Sequence, residues 1–391
     1  MNDVLCRKCA STGYNGFADF NRSFSYGFTL DLTTTRTLKS SGDTGTHPQM
    51  IVCRVHHGID LRLADIALLS FDSGMSYRDD HSLIIRSVIL LEFAPMRWLA
   101  ACVLTVLVPL SAAAWGEKGH LMINRLAIDS ASSKLPEFMN AAREQLTYNG
   151  YEPDRWREEG RASAMNTTQA ADHFFDSEYW GAISTIEPDR YSFMEKIAAK
   201  KIELIKVGYL PYAILENYGK LVNAFRFWRN AKTPQDRESA RGNAVYVAGV
   251  LGHYVGDASQ PMHLSIQYNG WLDTTPNPKN YTKDRGFHAR YEANYVDAAI
   301  QINSVKPKVQ PAQRLTSVWN SIKQYLAQSF SELEPIYELE KAGEFNPQQP
   351  RAKGTEVITA QLARAGTMLS SLWYTAWLES GEPVPGQNAK E

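Results

Sequence analysis

Residues 253–263 read His-Tyr-Val-Gly-Asp-Ala-Ser-Gln-Pro-Met-His, two imidazoles and a carboxylate at spacings of four and six. A spacing of four places His253 and Asp257 one above the other on the same helix face. Pro261 lacks an N–H and crowds the preceding turn, so the helix is expected to stop or kink there. His263 is then free of the helical repeat and can turn toward a second centre. Two neutral imidazoles and a carboxylate are the ligand set that borderline Zn²⁺ prefers. Taken alone, a histidine and an aspartate on a helix fit ordinary packing equally well. The other histidines decide between the two.

The chain has nine histidines, five of them after residue 114: His120, His173, His253, His263 and His288. His288 precedes Glu292 by four residues, again one helical face. His173 lies between Asp172 and Asp176. His120 comes five residues after Trp115, a residue expected to become a chain terminus. With every one of these histidines close to an acid or an end, the pattern predicts a site for several metal ions.

The terminus is expected because residues 96–114, Met-Arg-Trp-Leu-Ala-Ala-Cys-Val-Leu-Thr-Val-Leu-Val-Pro-Leu-Ser-Ala-Ala-Ala, have the form of a secretory signal peptide. Arg97 precedes an apolar run over 99–110, and Ala112-Ala113-Ala114 is the cleavage site. The run falls short of the ~20 residues that span a bilayer, which argues against a permanent anchor. Cleavage leaves Trp115 first and predicts a secreted or periplasmic protein. Residues 1–95, rich in Ser, Thr, Gly and Asp, are expected to be misassigned upstream translation or a disordered extension. Cys6-Arg-Lys-Cys9 is half a zinc ribbon with no second pair. All four cysteines precede Trp115, so the chain from Trp115 onward must fold by its core and by bound metal. A net charge of −1 gives no bulk basic field. Affinity for phosphate must therefore come from local groups or metal.

From Trp115 onward apolar residues recur at three and four over 121–127, 138–146, 194–205, 215–227, 244–255, 291–302, 315–333 and 357–377. Asn149-Gly150, Asn166-Thr167-Thr168 and 273–280 mark loops. The segment 270–287, carrying Lys279, Lys283 and Arg285, joins His263 to His288 and is expected to run over the site. The fold class is all-α: one helical-bundle domain over 115–380, with a flexible tail at 381–391.

Trp115-Gly-Glu-Lys-Gly-His120, Asp154, His173, the His253/Asp257/His263 run and His288/Glu292 together resemble the zinc-dependent phospholipase C and S-one/P-one nuclease superfamily, across essentially all of 115–380. The resemblance implies an all-α enzyme with three zinc ions that hydrolyses phosphate esters. It implies that one ion takes Asp154, His173, His253 and one oxygen of Asp257. A close partner would take the other oxygen of Asp257, His120, and the α-amine and carbonyl of Trp115. The third would take His263, His288 and Glu292. A mature chain that starts with a metal-binding tryptophan agrees with the cleavage site inferred from 96–114.

Two ions bridged by one carboxylate bring the pKa of a shared water toward neutrality, and an ion with three protein ligands keeps a position open for phosphate. Asp154 and Asp257 are the expected catalytic carboxylates, Asp154 because it can orient the attacking water or accept its proton. Within the family the five-residue gap from Trp115 to His120 is nuclease-like. Arg157, Phe174 and Asp176 fall where nucleases place a cation, a base-stacking ring and a base-binding acid; a core phenylalanine and a helix cap are the plainer readings of the last two. Glu292 is instead the phospholipase choice, and Gln267-Tyr-Asn-Gly-Trp271 replaces the nuclease Gly-Gly-Asn element. The expectation is an exported, monomeric trinuclear-zinc phosphodiesterase without a protein partner, acting on single-stranded nucleic acid and 3′-nucleotides. The alternatives are a zinc-dependent phospholipase C acting on phospholipid, and a non-enzymatic helical protein with structural zinc.

Overall fold

The computed structural model of the protein describes residues 21–24, 28–31, 115–158 and 163–384. The chain divides into two units, Met1–Ala101 and Cys102–Glu391. In the first, β1 (Asn21–Phe24) pairs antiparallel with β2 (Phe28–Asp31), Asn21 opposite Asp31 and Phe24 opposite Phe28. That hairpin is a local element that the sequence alone does not mark within 1–95. The segment 96–114, expected to be a signal peptide, lies outside the described residues, as does most of the tail.

The regular elements among the described residues of the second unit are all helical, with no strand among them. Its principal helices are α1 (Gly116–Ala131), α2 (Arg143–Asn149), α3 (Leu210–Asn230), α4 (Pro234–Asp257), α5 (Val318–Ser331) and α6 (Ala352–Glu379). No helix among the described residues is long and apolar enough to cross a membrane. α4 is the central element. Its start is set by Thr233, whose hydroxyl accepts from the Asp236 N–H (3.0 Å), and by Pro234 in the first turn. It packs on α1, α2, α3 and α6, and every residue over 248–265 is buried. A helix buried on all sides can carry polar groups only where they find partners. His253 and Asp257 sit in that stretch.

α4 ends at Asp257, and Pro261 opens a short 3-10 turn, Pro261–Leu264, that carries His263. The expected stop before Pro261 is thus seen, with Gln260 capping the turn by accepting from the Met262 N–H at 2.6 Å. Several periodic stretches prove discontinuous. The stretch 138–146 breaks at Ala142, 194–205 breaks after Ala199, and 291–302 breaks at the extended Ile300. Asn166-Thr167-Thr168, expected in a loop, lies in a helix spanning Ala164–Gln169. Ser163 caps that helix by accepting from the Asn166 N–H at 3.1 Å, and the cap outweighs the poor helix propensity of Asn and Thr.

A half-buried ion pair braces the helices around α4. Arg364 on α6 meets both oxygens of Glu332 and also donates to the Ser259 carbonyl (3.3 Å) and Ser329 hydroxyl (3.2 Å). Gln361 donates to Glu332 (2.8 Å) and accepts from the Tyr291 hydroxyl. This network reaches the two segments that carry Asp257 and Glu292.

Candidate metal centre

Five buried histidines and three buried carboxylates converge from separate elements: His120 on α1, Asp154 in the short helix Glu152–Arg155, His173 ending the 3-10 turn Ala170–His173, His253 and Asp257 on α4, His263 in the 3-10 turn, and His288 and Glu292 near Gly286. Among the described residues they form three groups that can each hold a metal ion: His120/Asp154/His253, His173/His253/Asp257 and His263/His288/Glu292. Glu292 lies in a π-turn, Arg290–Asn294. Such turns put residues four apart into altered register and recur at functional sites.

The first two groups share His253, whose one available lone pair can serve only one ion, and form one cluster. His253 Nε2 lies 3.0 Å from His173 Nδ1 and 3.8 Å from Asp154 Oδ1. Asp257 Oδ2 lies 3.1 Å from His173 Nδ1 and 3.5 Å from His253 Nε2, and Asp154 Oδ1 is 3.7 Å from His173 Nδ1. Ligands about 2.0–2.1 Å from a tetrahedral zinc are separated by about 3.3–3.5 Å, so the five spacings bracket the required edge. The other oxygen of Asp257 turns away from these atoms and lies 3.4 Å from His120 Nε2. The His120 ring stacks on His253 with centroids 4.0 Å apart. Asp257 therefore presents one oxygen to each side of the cluster.

In the third group His263 Nε2 lies 3.2 Å from His288 Nε2, and Glu292 Oε2 is 2.8 Å from His288 Nε2 and 3.5 Å from His263 Nε2. The outer nitrogens fix the tautomers. Carbonyl oxygens can only accept, so Nδ1–H of His253 donates to Gly150 (3.0 Å), that of His263 to His173 (2.6 Å) and that of His288 to Tyr268 (2.7 Å). Their Nε2 atoms are left as lone pairs, and those of His263 and His288 face each other. This is the outer support that metal-binding imidazoles have. Gln260 adds a hydrogen bond to Glu292 Oε2 at 3.1 Å.

The electrostatics fit an ion. Both oxygens of Asp257, Asp154 Oδ2 and Glu292 Oε1 are buried without a hydrogen-bond donor. Burial, reinforced by Asp154 and Glu292, pushes the Asp257 carboxyl well above its ordinary range. Burial raises Asp154 to about 7 against the opposing Arg157. Burial lowers His253 and His173 well below 6.5, with neighbouring cationic groups adding to it, and keeps them neutral. In the third group burial pushes Glu292 up, but His288 and His263 outweigh it and hold the carboxyl at about 2. Buried anions and lone pairs at such density need a cation.

Trp115 is fully buried, and its indole N–H is shared between the Gly256 carbonyl and Ser259 hydroxyl, each at 2.8 Å. Its backbone is left-handed (φ 50°), as is that of Gly116 (φ 54°), and Gly116 packs against Ala293 and the Glu292 carbonyl. The Trp115 carbonyl accepts from the Gly119 N–H at 3.1 Å, which opens α1. The tryptophan is thus anchored between the segments bearing Asp257 and Glu292.

The residues expected to meet substrate are placed differently from one another. Arg157 is engaged with Asp154 (3.4 Å) and with the Asn166 side chain (3.1 Å), so it acts first as a brace for that carboxylate. Phe174 is partly buried and packs on the core, its carbonyl accepting from the Leu210 N–H at 3.1 Å. Asp176 is buried, and burial together with Glu178 lifts its carboxyl to about 8. Sequence proximity misled for His173: Asp172 instead pairs with Arg190 (2.9 Å), while the acids beside the His173 ring come from 154 and 257. In the 270–287 loop Lys279 pairs with Glu334 (2.6 Å), Lys283 with Asp273 (2.5 Å), and Arg285 with the Asn269 carbonyl (3.0 Å). These cations are satisfied within the loop and by α-helical acids, as a solvated loop would have them. Sequence reasoning missed Gln260, Ser259, and the carbonyls of Gly150 and Tyr268; a backbone carbonyl leaves no mark in a sequence.

No family model matches the chain, and no curated protein matches it. Among solved structures it is similar to an alpha toxin from Clostridium absonum, with TM-score 0.39 and 11% identity over 68% of this chain and 65% of that one. It is also similar to the Clostridium perfringens alpha-toxin of an avian strain, with TM-score 0.31 and 14% identity over 71% of this chain and 67% of the toxin. The chain spans about 65% of the length of the first toxin. Both similarities are of low identity, and the chemistry of the site rests on its own geometry.

Proposed function

We propose that this chain is an exported, zinc-dependent phosphodiesterase of the phospholipase C and S-one/P-one nuclease type. The observation that carries the reading is the pair of facing Nε2 lone pairs on His263 and His288 beside Glu292, together with the cluster in which Asp257 gives one oxygen to each side. Asp154, His173, His253 and Oδ2 of Asp257 would hold one ion. Oδ1 of Asp257 and His120 would hold a second, with the amine and carbonyl of Trp115 if the chain starts there. His263, His288 and Glu292 would hold a third and leave one position open. Ions bound there supply the polarisation that makes water nucleophilic near neutral pH and the charge that stabilises a phosphorane-like transition state.

The chain's own groups do the remaining work. Asp154 Oδ2, which has no hydrogen-bond donor, is the acceptor for a proton from an attacking water, and Arg157 holds that carboxylate in place. Burial of the centre excludes bulk water from these groups and strengthens each electrostatic contact. Closed, cysteine-rich sites are the structural pattern; three ligands with an open position, and no cysteine, argue for chemistry instead.

A phospholipid headgroup is the substrate class we favour. Net charge is −1, and the three cations of the 270–287 loop are already paired, so no cationic track for a polynucleotide is built there. The second reading, a nuclease with 3′-nucleotidase activity, is favoured by Asp176: a buried carboxyl that stays protonated near neutrality can both donate to and accept from a base. The test is hydrolysis of phosphatidylcholine, single-stranded DNA and a 3′-nucleotide by a chain beginning at Trp115, with zinc and with chelator. Zinc-dependent release of phosphocholine supports the first reading, and cleavage of the nucleic acid alone replaces it with the second. No zinc-dependent hydrolysis of any of them contradicts both.

A further inference from the structure

We propose that Asn124 is a positioning residue for the metal centre, clamping together the three segments that present His120 and His253 to the Asp257 cluster. The inference rests on the reading of those side chains as ligands. Asn124 is fully buried, and it follows His120 by four residues on α1, one turn along the same face. Its side-chain N–H₂ donates to two carbonyls on two other segments: Leu146 on α2 at 2.6 Å and Gly249 on α4 at 3.0 Å. Each of those carbonyls is also four residues from a site group. Gly150, four after Leu146, supplies the carbonyl that takes His253 Nδ1–H at 3.0 Å. His253 itself is four after Gly249.

One amide therefore closes the assembly one turn away from the donors, with both of its hydrogens spent on carbonyls. The approach is as close as the backbone allows. A methyl group on Gly252 would fall 1.7 Å from Asn124 Oδ1, and one on Gly150 would fall 2.9 Å from the Asn124 amide and from the His120 carbonyl. The amide fills the space that two glycines leave open, so its position fixes how near α1 and the 146–150 turn come to α4. If α1 or that turn shifts, the Gly150 carbonyl leaves His253 Nδ1, the tautomer is no longer enforced, and the His120–Asp257 spacing changes. The His263/His288/Glu292 group has no such link: its outer nitrogens are held by His173 and Tyr268.

The test is zinc retention. Asn124→Leu keeps the branched heavy-atom shape, at a somewhat larger volume, and removes both hydrogen bonds. Zinc per chain is measured by elemental analysis after equilibration with graded chelator, and the Co²⁺-substituted protein is followed by its visible absorption. Thr375→Val is the control, because Thr375 is equally buried on α6, accepts from the Leu315 N–H (2.9 Å), and touches none of the donors. Asn124→Leu is expected to release two ions at roughly tenfold or more lower chelator, the size of effect that losing an outer partner has, and to keep the third. Its Co²⁺ spectrum should change, while Thr375→Val, with a lowered melting temperature, keeps the wild-type curve. Wild-type retention and spectrum in Asn124→Leu overturn the proposal, as does zinc loss that tracks melting temperature across both variants. Asn124→Ser, smaller and with a single donor, is read the same way if the leucine variant does not fold. A wild-type chain that binds no zinc contradicts the ligand reading instead.

Discussion

Among single residues, Asp257 and Asp176 offer the sharpest tests. Asp257 gives its two oxygens to different imidazoles, His120 on one side and His173 and His253 on the other. Asp257→Asn should therefore empty two ion positions, and His263→Ala only one. Activity should fall in Asp257→Asn by more than the ~10–100-fold that loss of an outer partner costs. Gln260→Ala, which removes such a partner from Glu292, should weaken one ion by about that factor and leave the others. Metal titrations of the three variants check the ordering, and equal losses in all three would contradict it. Asp176 supplies a pH test. Its folded pKa is raised to about 8 from 3.8 by burial, so its contribution to stability is full below about pH 4 and is lost as pH rises through 8. Asp176→Asn cannot ionise. Its melting temperature relative to the parent should climb by several degrees between pH 5 and 8, and a constant difference would remove the buried-acid assignment.

Elements show what the sequence made legible. The His253–Asp257 face, the stop before Pro261 and the release of His263 from the helical repeat followed from a spacing of four and one proline, whereas its grouping with His288 and Glu292 was implied only by the family resemblance. The helical periods located α1, α3, α4, α5 and α6, because an amphipathic helix on a core repeats its apolar residues. The features that stayed hidden had other causes. The break at Ala142 and the π-turn at Glu292 are set by tertiary packing, which a period cannot register. The acids beside His173 are distant in sequence, and the carbonyls of Gly150 and Tyr268 carry no side-chain signal. The Arg364–Glu332 pair belongs to this scale too. Glu332→Ala leaves a guanidinium that is only 16% exposed without its partner, which should cost about 3 kcal/mol and be read as a fall in the denaturant midpoint. Arg364→Met with Glu332→Leu should recover most of it.

For the whole molecule the centre is also a source of stability, since ions that bind only the folded chain shift the equilibrium toward it. That stabilisation depends on pH. His173 and His253 are depressed below 6.5, so above that pH they add no further slope. Asp154, raised to about 7, and Asp257, raised well above its ordinary range, cost the ion-free fold stability as pH rises from about 4 through their folded pKa values. Zinc removes that cost, so its stabilising effect should be larger at pH 8 than at 6.5; the reverse order by thermal melting would contradict it. Substrate choice is a whole-molecule question as well. Phe174→Ala should lower stability and all activities in parallel if the ring is core packing, and selectively lower nucleotide cleavage by roughly tenfold if it stacks a base at ~1–3 kcal/mol. A methionine left in front of Trp115 should abolish most activity if the α-amine is a ligand, since an amide nitrogen has no lone pair to give. The most direct measurement is zinc per chain in purified protein beginning at Trp115, by elemental analysis after dialysis. The proposed partition, with Asp257 giving one oxygen to each of two ions and His263, His288 and Glu292 holding another, predicts about three ions, falling to about one in Asp257→Asn; one ion or none in an active parent chain would contradict the trinuclear centre.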